Sequence, residues 1–153
     1  MIRELEPLLL GQHIAVTASM VAIIDGGLHV SSYGASKHAI YSYLTSLRQE
    51  YRKFNKDITV SIGCPYAINT TLFKGYRTKL DFIFRMLDQT YVAKRLVKEF
   101  VARKEACFMY TYQLVLFRLI SLFPTHLIDF AAVHLDQTKI SATPRSVTYS
   151  KNA

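Results

Sequence analysis

A tyrosine and a lysine four residues apart, in Tyr33-Gly34-Ala35-Ser36-Lys37, place a phenol and an ammonium on the same side of the chain wherever that stretch is helical. A free tyrosine, with a pKa of about 10, is a poor acid–base catalyst near neutrality, but a positive charge held beside it stabilises the phenolate and lowers that value. The pair therefore suits acid–base chemistry. The same spacing also serves simple packing, with a lysine stem lying over a ring. What favours chemistry is the order of the neighbouring segments. A run ending Val16-Thr17-Ala18-Ser19 precedes the pair, and one ending Cys64-Pro65 follows it. The start of the intervening helix then falls at the carboxyl ends of parallel strands, where open α/β sheets bind ligands.

The elements that must hold this pair can be read from hydrophobic period. Residues 1–10 read as the end of a helix, and residues 12–17, Gln-His-Ile-Ala-Val-Thr, as a short apolar strand. A loop carrying Asp25-Gly26-Gly27 follows. Residues 32–53 predict a long helix with Tyr33, Lys37, Tyr41, Leu44 and Tyr51 near one side, and residues 57–63 a second, buried strand. Strand, helix and strand in this order make a βαβ crossover in a parallel sheet, with a right-handed connection. Beyond Pro65 the pattern predicts a loop, helical segments at 80–87 and 91–103, a short strand at 106–110, and two apolar helices on either side of Pro124. No repeat or Gly/Ser linker divides the body, which is expected to fold as one unit over 1–136. The polar, aperiodic residues 137–153 read as a mobile tail.

A strand-end serine, a Tyr-x-x-x-Lys helix and a later proline-containing loop, in this order, resemble the short-chain dehydrogenase/reductase family. The likeness is nearest to its lipid-acting branch of retinol dehydrogenases and lipid-droplet 17-beta-hydroxysteroid dehydrogenases. It rests on His13-Ile14-Ala15-Val16-Thr17-Ala18-Ser19, on Tyr33-Gly34-Ala35-Ser36-Lys37 and on Cys64-Pro65-Tyr66-Ala67-Ile68-Asn69-Thr70. It covers roughly residues 1–135 and corresponds to the second half of such an enzyme. The implied fold is α/β, the second half of a Rossmann-like, doubly wound parallel sheet with apolar C-terminal helices. The implied cofactor is NAD or NADP. By the resemblance, Tyr33 is the general acid–base, Lys37 lowers its pKa and hydrogen-bonds the nicotinamide ribose, and Ser19 orients and polarises the substrate oxygen. Pro65, Ile68 and Thr70 would line the nicotinamide, and the substrate would be a lipid alcohol or its carbonyl form.

Two departures from the family pattern stand out. Ser19 precedes Tyr33 by fourteen residues, one more than the family's usual thirteen, which would select Met20. Methionine cannot polarise an oxygen, and a one-residue insertion between Val21 and Ser31 restores Ser19 to the role, since loops tolerate insertions cheaply. Ser31 and Ser32 lie too close to Tyr33 and read as helix caps. The second departure is larger. No GxxxGxG or GxGxxG turn occurs, and the Asn-Asn-Ala-Gly segment with the fourth catalytic residue is missing as well. The chain reads as beginning too late to hold the cofactor-binding half, so the isolated chain is expected to have negligible dehydrogenase activity. The competing expectation is a catalytically dead, truncated form that binds a full-length partner or a lipid surface.

Composition narrows the partners. With 19 basic and 11 acidic side chains, the net charge of +8 is compatible with nucleic acid, an anionic membrane surface or a phosphate-bearing cofactor. Basic residues such as Arg48, Arg52, Lys53 and Lys56 are interspersed with apolar segments, which favours a solvated helix face over a nucleic-acid patch. Cys64 and Cys107 lack CxxC spacing, and Cys64 reads as a buried structural thiol. The five histidines show no metal-ligand spacing, and no Gly-x-Ser-x-Gly elbow marks a nucleophile. The acidic N-terminus does not read as a signal peptide. The apolar stretch from Cys107 to Phe123 is interrupted by Arg118 and is shorter than the ~20 residues of a membrane span. Its aromatics and leucines suit core, a pocket wall or a surface resting on lipid. The resemblance implies a cytosol-facing location on the endoplasmic reticulum membrane or a lipid droplet, with the cytoplasm as the alternative, and a homodimer or a full-length relative as partner.

Overall fold

The computed structural model describes residues 2, 4, 6–24, 30–71, 79 and 85–135. Three strands, β1 (His13–Thr17), β2 (Thr59–Cys64) and β3 (Ala106–Phe108), form one parallel sheet in the order β1-β2-β3. His13 stands opposite Thr59 and Thr17 opposite Gly63, while Ile62 to Cys64 pair with Ala106 to Phe108. Helix α1 (Ser31–Lys53) crosses from β1 to β2, and α2 (Gln89–Val101) from β2 to β3. Two shorter helices follow, α3 (Thr111–Ile120) and α4 (Thr125–Leu135).

The pattern of burial explains the order. Five of the six β2 residues, Val60 to Cys64, are buried, as expected of a central strand covered on both faces. On one face Val60, Ile62 and Cys64 form a core with Leu44, Leu47 and Tyr51 of α1. On the other face α2 approaches so closely that only a glycine fits. A methyl group on Gly63 would run into Leu96 and stand 3.0 Å from the Phe100 ring. Gly63→Ala is therefore expected to cost about 1–3 kcal/mol, read as a lower urea midpoint at unchanged slope. β1 is an edge. Among the described residues it pairs with β2 alone, and Ala15 and Thr17 are exposed.

Several predicted bounds shift. The α1 helix begins at Ser31, and its cap position is Val30, which makes no side-chain cap hydrogen bond, so Ser31 and Ser32 are first-turn residues and not caps. Their places inside the first turn follow from the chain entering helical geometry one residue earlier than the serines signalled. Near the N-terminus the described structure is a 3-10 turn, Glu6–Leu8, in place of the end of an α-helix. Of the helix expected at 80–87, residues 80–84 lie outside the described set, and Leu87 forms a parallel bridge with Ile68. The Asp25-Gly26-Gly27 loop and the 137–153 tail also lie outside it.

At the amino end of the sheet, His13 Nε2 lies 2.7 Å from the Oγ of fully buried Ser61. Burial, and then the Arg103 guanidinium, push the His13 pKa down. The folded chain thus prefers neutral imidazole while the unfolded chain takes up a proton near pH 6.5. As the pH falls below about 6.5, the unfolded state binds more protons and stability drops until the folded-state pKa is passed. Urea midpoints measured at pH 7.5 and 5.5 are expected to fall less on acidification in His13→Gln than in the parent chain.

Candidate active site at the carboxyl ends of the strands

The crossover brings the first turn of α1 to the carboxyl end of β1. The first turn packs beside Val21, since a Cβ built on Gly34 would sit 3.7 Å from Val21 Cγ1, an ordinary contact. Val21 belongs to a 3-10 turn, Met20–Ala22, that leaves β1 immediately after Ser19. Tyr33 and Lys37, one helical turn apart on α1, are both half-buried. The Lys37 ammonium lies 5.6 Å from the centre of the Tyr33 ring and donates to the Thr17 carbonyl at 3.5 Å. It thus bridges the helix and the strand end, with donors to spare for a further oxygen.

Ser19 has extended backbone geometry and is 7% exposed. Its Oγ accepts the Val21 backbone N–H at 3.3 Å, which caps the 3-10 turn and leaves the hydroxyl hydrogen available for donation. Met20 is buried in the core, and its N–H donates to the Pro65 carbonyl at 2.9 Å. Of the two positions that spacing left in competition, Met20 packs in the core and Ser19 caps the 3-10 turn that follows β1.

Pro65 is buried directly after β2. The loop beyond it is pinned by Leu87, whose N–H donates to the Ala67 carbonyl at 2.9 Å and whose carbonyl accepts from Asn69 N–H at 2.9 Å. Gln89 also donates to the Asn69 carbonyl. Ile68 takes part in the bridge with Leu87, and Thr70 just beyond it is half-buried. Cys64, just before the proline, is fully buried, and burial pushes its thiol up to about 12, the nearby Cys107 adding to the rise and the Ser19 backbone N–H opposing it. Such a thiol is inert near neutrality.

Two contributors escaped sequence reasoning. One is the Thr17 carbonyl, a backbone group with no signature of its own. The other is the Leu87 backbone, whose pairing with Ala67 and Asn69 pins the loop after Pro65. The described residues thus offer an ammonium donor at Lys37, a phenol at Tyr33 and a loop from Pro65 to Thr70 pinned by Leu87. The 153 residues contain no glycine-rich strand-to-helix turn to hold a pyrophosphate.

Comparison with known proteins gives a consistent picture. A family model described as short chain dehydrogenase matches residues 4–81. The chain is 36% identical over 86 residues to Short-chain dehydrogenase/reductase family 16C member 6 of Bos taurus, a match covering 56% of this chain and 27% of that protein. It superposes on a solved short-chain dehydrogenase from Novosphingobium aromaticivorans with a TM-score of 0.51 at 18% identity, over 87% of this chain and 49% of that one. The second likeness speaks to fold alone. The matched lengths are about a quarter of the bovine protein and half of the bacterial one.

Proposed function

Because the chain belongs to the short-chain dehydrogenase family, a family of oxidoreductases, we propose that its site serves the NAD(P)-dependent interconversion of lipid alcohols, such as retinoids or steroids, with their carbonyl forms. The observation that carries this reading is the placement of Lys37 between the Tyr33 ring and the Thr17 carbonyl, beside the turn that Ser19 caps. The bound nicotinamide supplies or accepts the hydride. Tyr33 exchanges the proton at the substrate oxygen, and the Lys37 ammonium supports the negative charge on Tyr33 Oη when that proton has left. Ser19 donates its hydroxyl hydrogen to the same substrate oxygen and fixes its position. Pro65, Ile68 and Thr70 form the wall against the nicotinamide, and Lys37 donates to its ribose.

On this reading the 153-residue chain alone is inactive, since it carries no glycine-rich turn for the pyrophosphate and β1 pairs on one side only among the described residues. The test is to mix the purified chain with NADH or NADPH and retinal or a ketosteroid, and to follow the absorbance of the reduced cofactor. A flat trace is expected. Turnover abolished by Tyr33→Phe would overturn the inactivity while supporting the site; turnover untouched by that substitution would overturn the site.

The exposed apolar residues of α3 and α4 favour a second reading, in which the chain acts as a catalytically silent binder of a lipid surface. Both readings go with a cytosol-facing location on the endoplasmic reticulum membrane or a lipid droplet.

A further inference from the structure

The loop that follows β2 is fixed by its backbone at three residues. Met20 N–H donates to the Pro65 carbonyl, and the Leu87 backbone pairs with Ala67 and Asn69, each bond at 2.9 Å. Among these fixed points stands Tyr66, half-buried, whose side chain packs on two cores. One is the core that Leu44, Leu47 and Tyr51 of α1 form with β2, and the other holds Leu87, Val92 of α2 and Met109. Ile68, two residues on, packs on the second of these. Helix α3 reaches the Tyr66 ring from the side of the first core. Its Gln113 is fully buried, Leu114 and Phe117 pack on that core, and Phe117 stacks on Tyr66 with 6.2 Å between ring centres and 27° between planes. That separation falls within the ~4.5–7 Å of favourable aromatic pairs.

We propose that Phe117 is a positioning residue for the cofactor: by holding the Tyr66 ring, it sets the tilt of the loop from Pro65 to Thr70 that receives the nicotinamide. Backbone hydrogen bonds at Pro65, Ala67 and Asn69 fix where the loop runs. A wall laid against a flat ring also needs a fixed tilt, and the side chains of the loop are the levers that set it. The second core holds the lever at Ile68, and Phe117 holds the longer one at Tyr66. Without the Phe117 ring, Tyr66 loses a partner on the α3 side while Ile68 keeps its own, and the loop is free to tip toward the second core. A helix that brings no group to the reacting atoms thereby governs how well the cofactor is held.

The inference rests on the cofactor reading proposed above, and its test keeps the two failures apart. The probe is reduced nicotinamide mononucleotide, which has no pyrophosphate and so needs no glycine-rich turn. Its binding to the 153-residue chain is followed by the amide shifts of Tyr66 to Thr70, and hydrogen exchange is measured one amide at a time. Phe117→Leu keeps most of the apolar volume but not the ring. It is expected to weaken binding about three- to tenfold and to speed exchange of the Asn69 and Leu87 amides by a similar factor, while the β2 amides keep their rates. Phe117→Tyr restores the ring and should restore both readouts. Adding Phe117→Leu to Tyr66→Leu should weaken binding little further, because the contact is already gone. Val115→Ala, at a residue 52% exposed on α3, should change neither readout. If the β2 amides speed up as much as Asn69 and Leu87, the ring is ordinary core and the proposal is overturned. A Phe117→Leu chain that binds the mononucleotide as tightly as the parent overturns it too, with the cofactor reading left standing. A parent chain that takes up no mononucleotide overturns both.

Discussion

Tyr33→Phe, placed in a chimaera that joins this chain behind the glycine-rich βαβ half of a full-length family member, is expected to lower turnover by roughly 10²- to 10⁴-fold, the usual contribution of a positioned acid–base group. The substitution removes one oxygen and keeps the ring that faces the Lys37 ammonium at 5.6 Å. Binding of the reduced cofactor, followed by its fluorescence, should change little, because the ring and Lys37 stay in place. Lys37→Met should behave differently: it takes away the donor proposed for the nicotinamide ribose as well as the charge beside the phenol, so affinity and turnover fall together. A chimaera that turns over substrate with Phe at position 33 as fast as with Tyr would remove Tyr33 from the chemistry. If both variants fold and both keep full activity, the pair is packing, as its spacing alone allowed.

The largest expected effect on stability is at Leu47. Its side chain is 2% exposed and sits in the core that α1 forms with β2. Leu47→Ala loses the transfer energy of the removed carbons and leaves a cavity, together about 2–5 kcal/mol. Domains are stable by only about 5–15 kcal/mol, and a sheet whose β1 pairs with β2 alone among the described residues is expected to sit low in that range. A substantial unfolded fraction in the absence of denaturant is therefore expected. Tyr43→Ala on the same helix, at a residue 44% exposed, should change stability by no more than about 0.5 kcal/mol. Equal shifts in the two urea midpoints would mean that the α1–β2 contact is not what holds the fold.

Much of this architecture was legible because burial leaves periodic marks. Val60 to Cys64 form a nearly unbroken apolar run, which in a parallel sheet means a strand covered twice, and two helices do cover it. The side of α1 marked by Tyr41, Leu44 and Tyr51 is the side that packs, though Leu47 completes it unannounced. What period does not encode is where backbone groups meet. The bridge between Ile68 and Leu87 joins segments nineteen residues apart and replaces the end of an expected helix, because pairing with a distant strand-like segment outweighs local propensity. The serines before Tyr33 looked like caps, yet the chain turns helical at Ser31 with Val30 in the cap position.

For the site, residue types and their order singled out Tyr33, Lys37 and Ser19 as candidates, whose roles belong to the proposed function. The structure adds that Met20 is buried in the core while Ser19 caps the turn after β1. The Thr17 carbonyl that receives Lys37 could not have been named in advance, because every residue has a carbonyl.

The single-sided pairing of β1 has a consequence for hydrogen exchange. In a parallel sheet alternate amides point to opposite neighbours, so those of β1 that turn away from β2 meet no described strand, whereas β2 lies between two. In deuterated water the outward amides of β1 are expected to exchange within the shortest labelling times, and those of β2 last. Anything that adds a strand along that margin would write its presence as a slowing at every second residue from His13 to Thr17, a pattern readable one amide at a time.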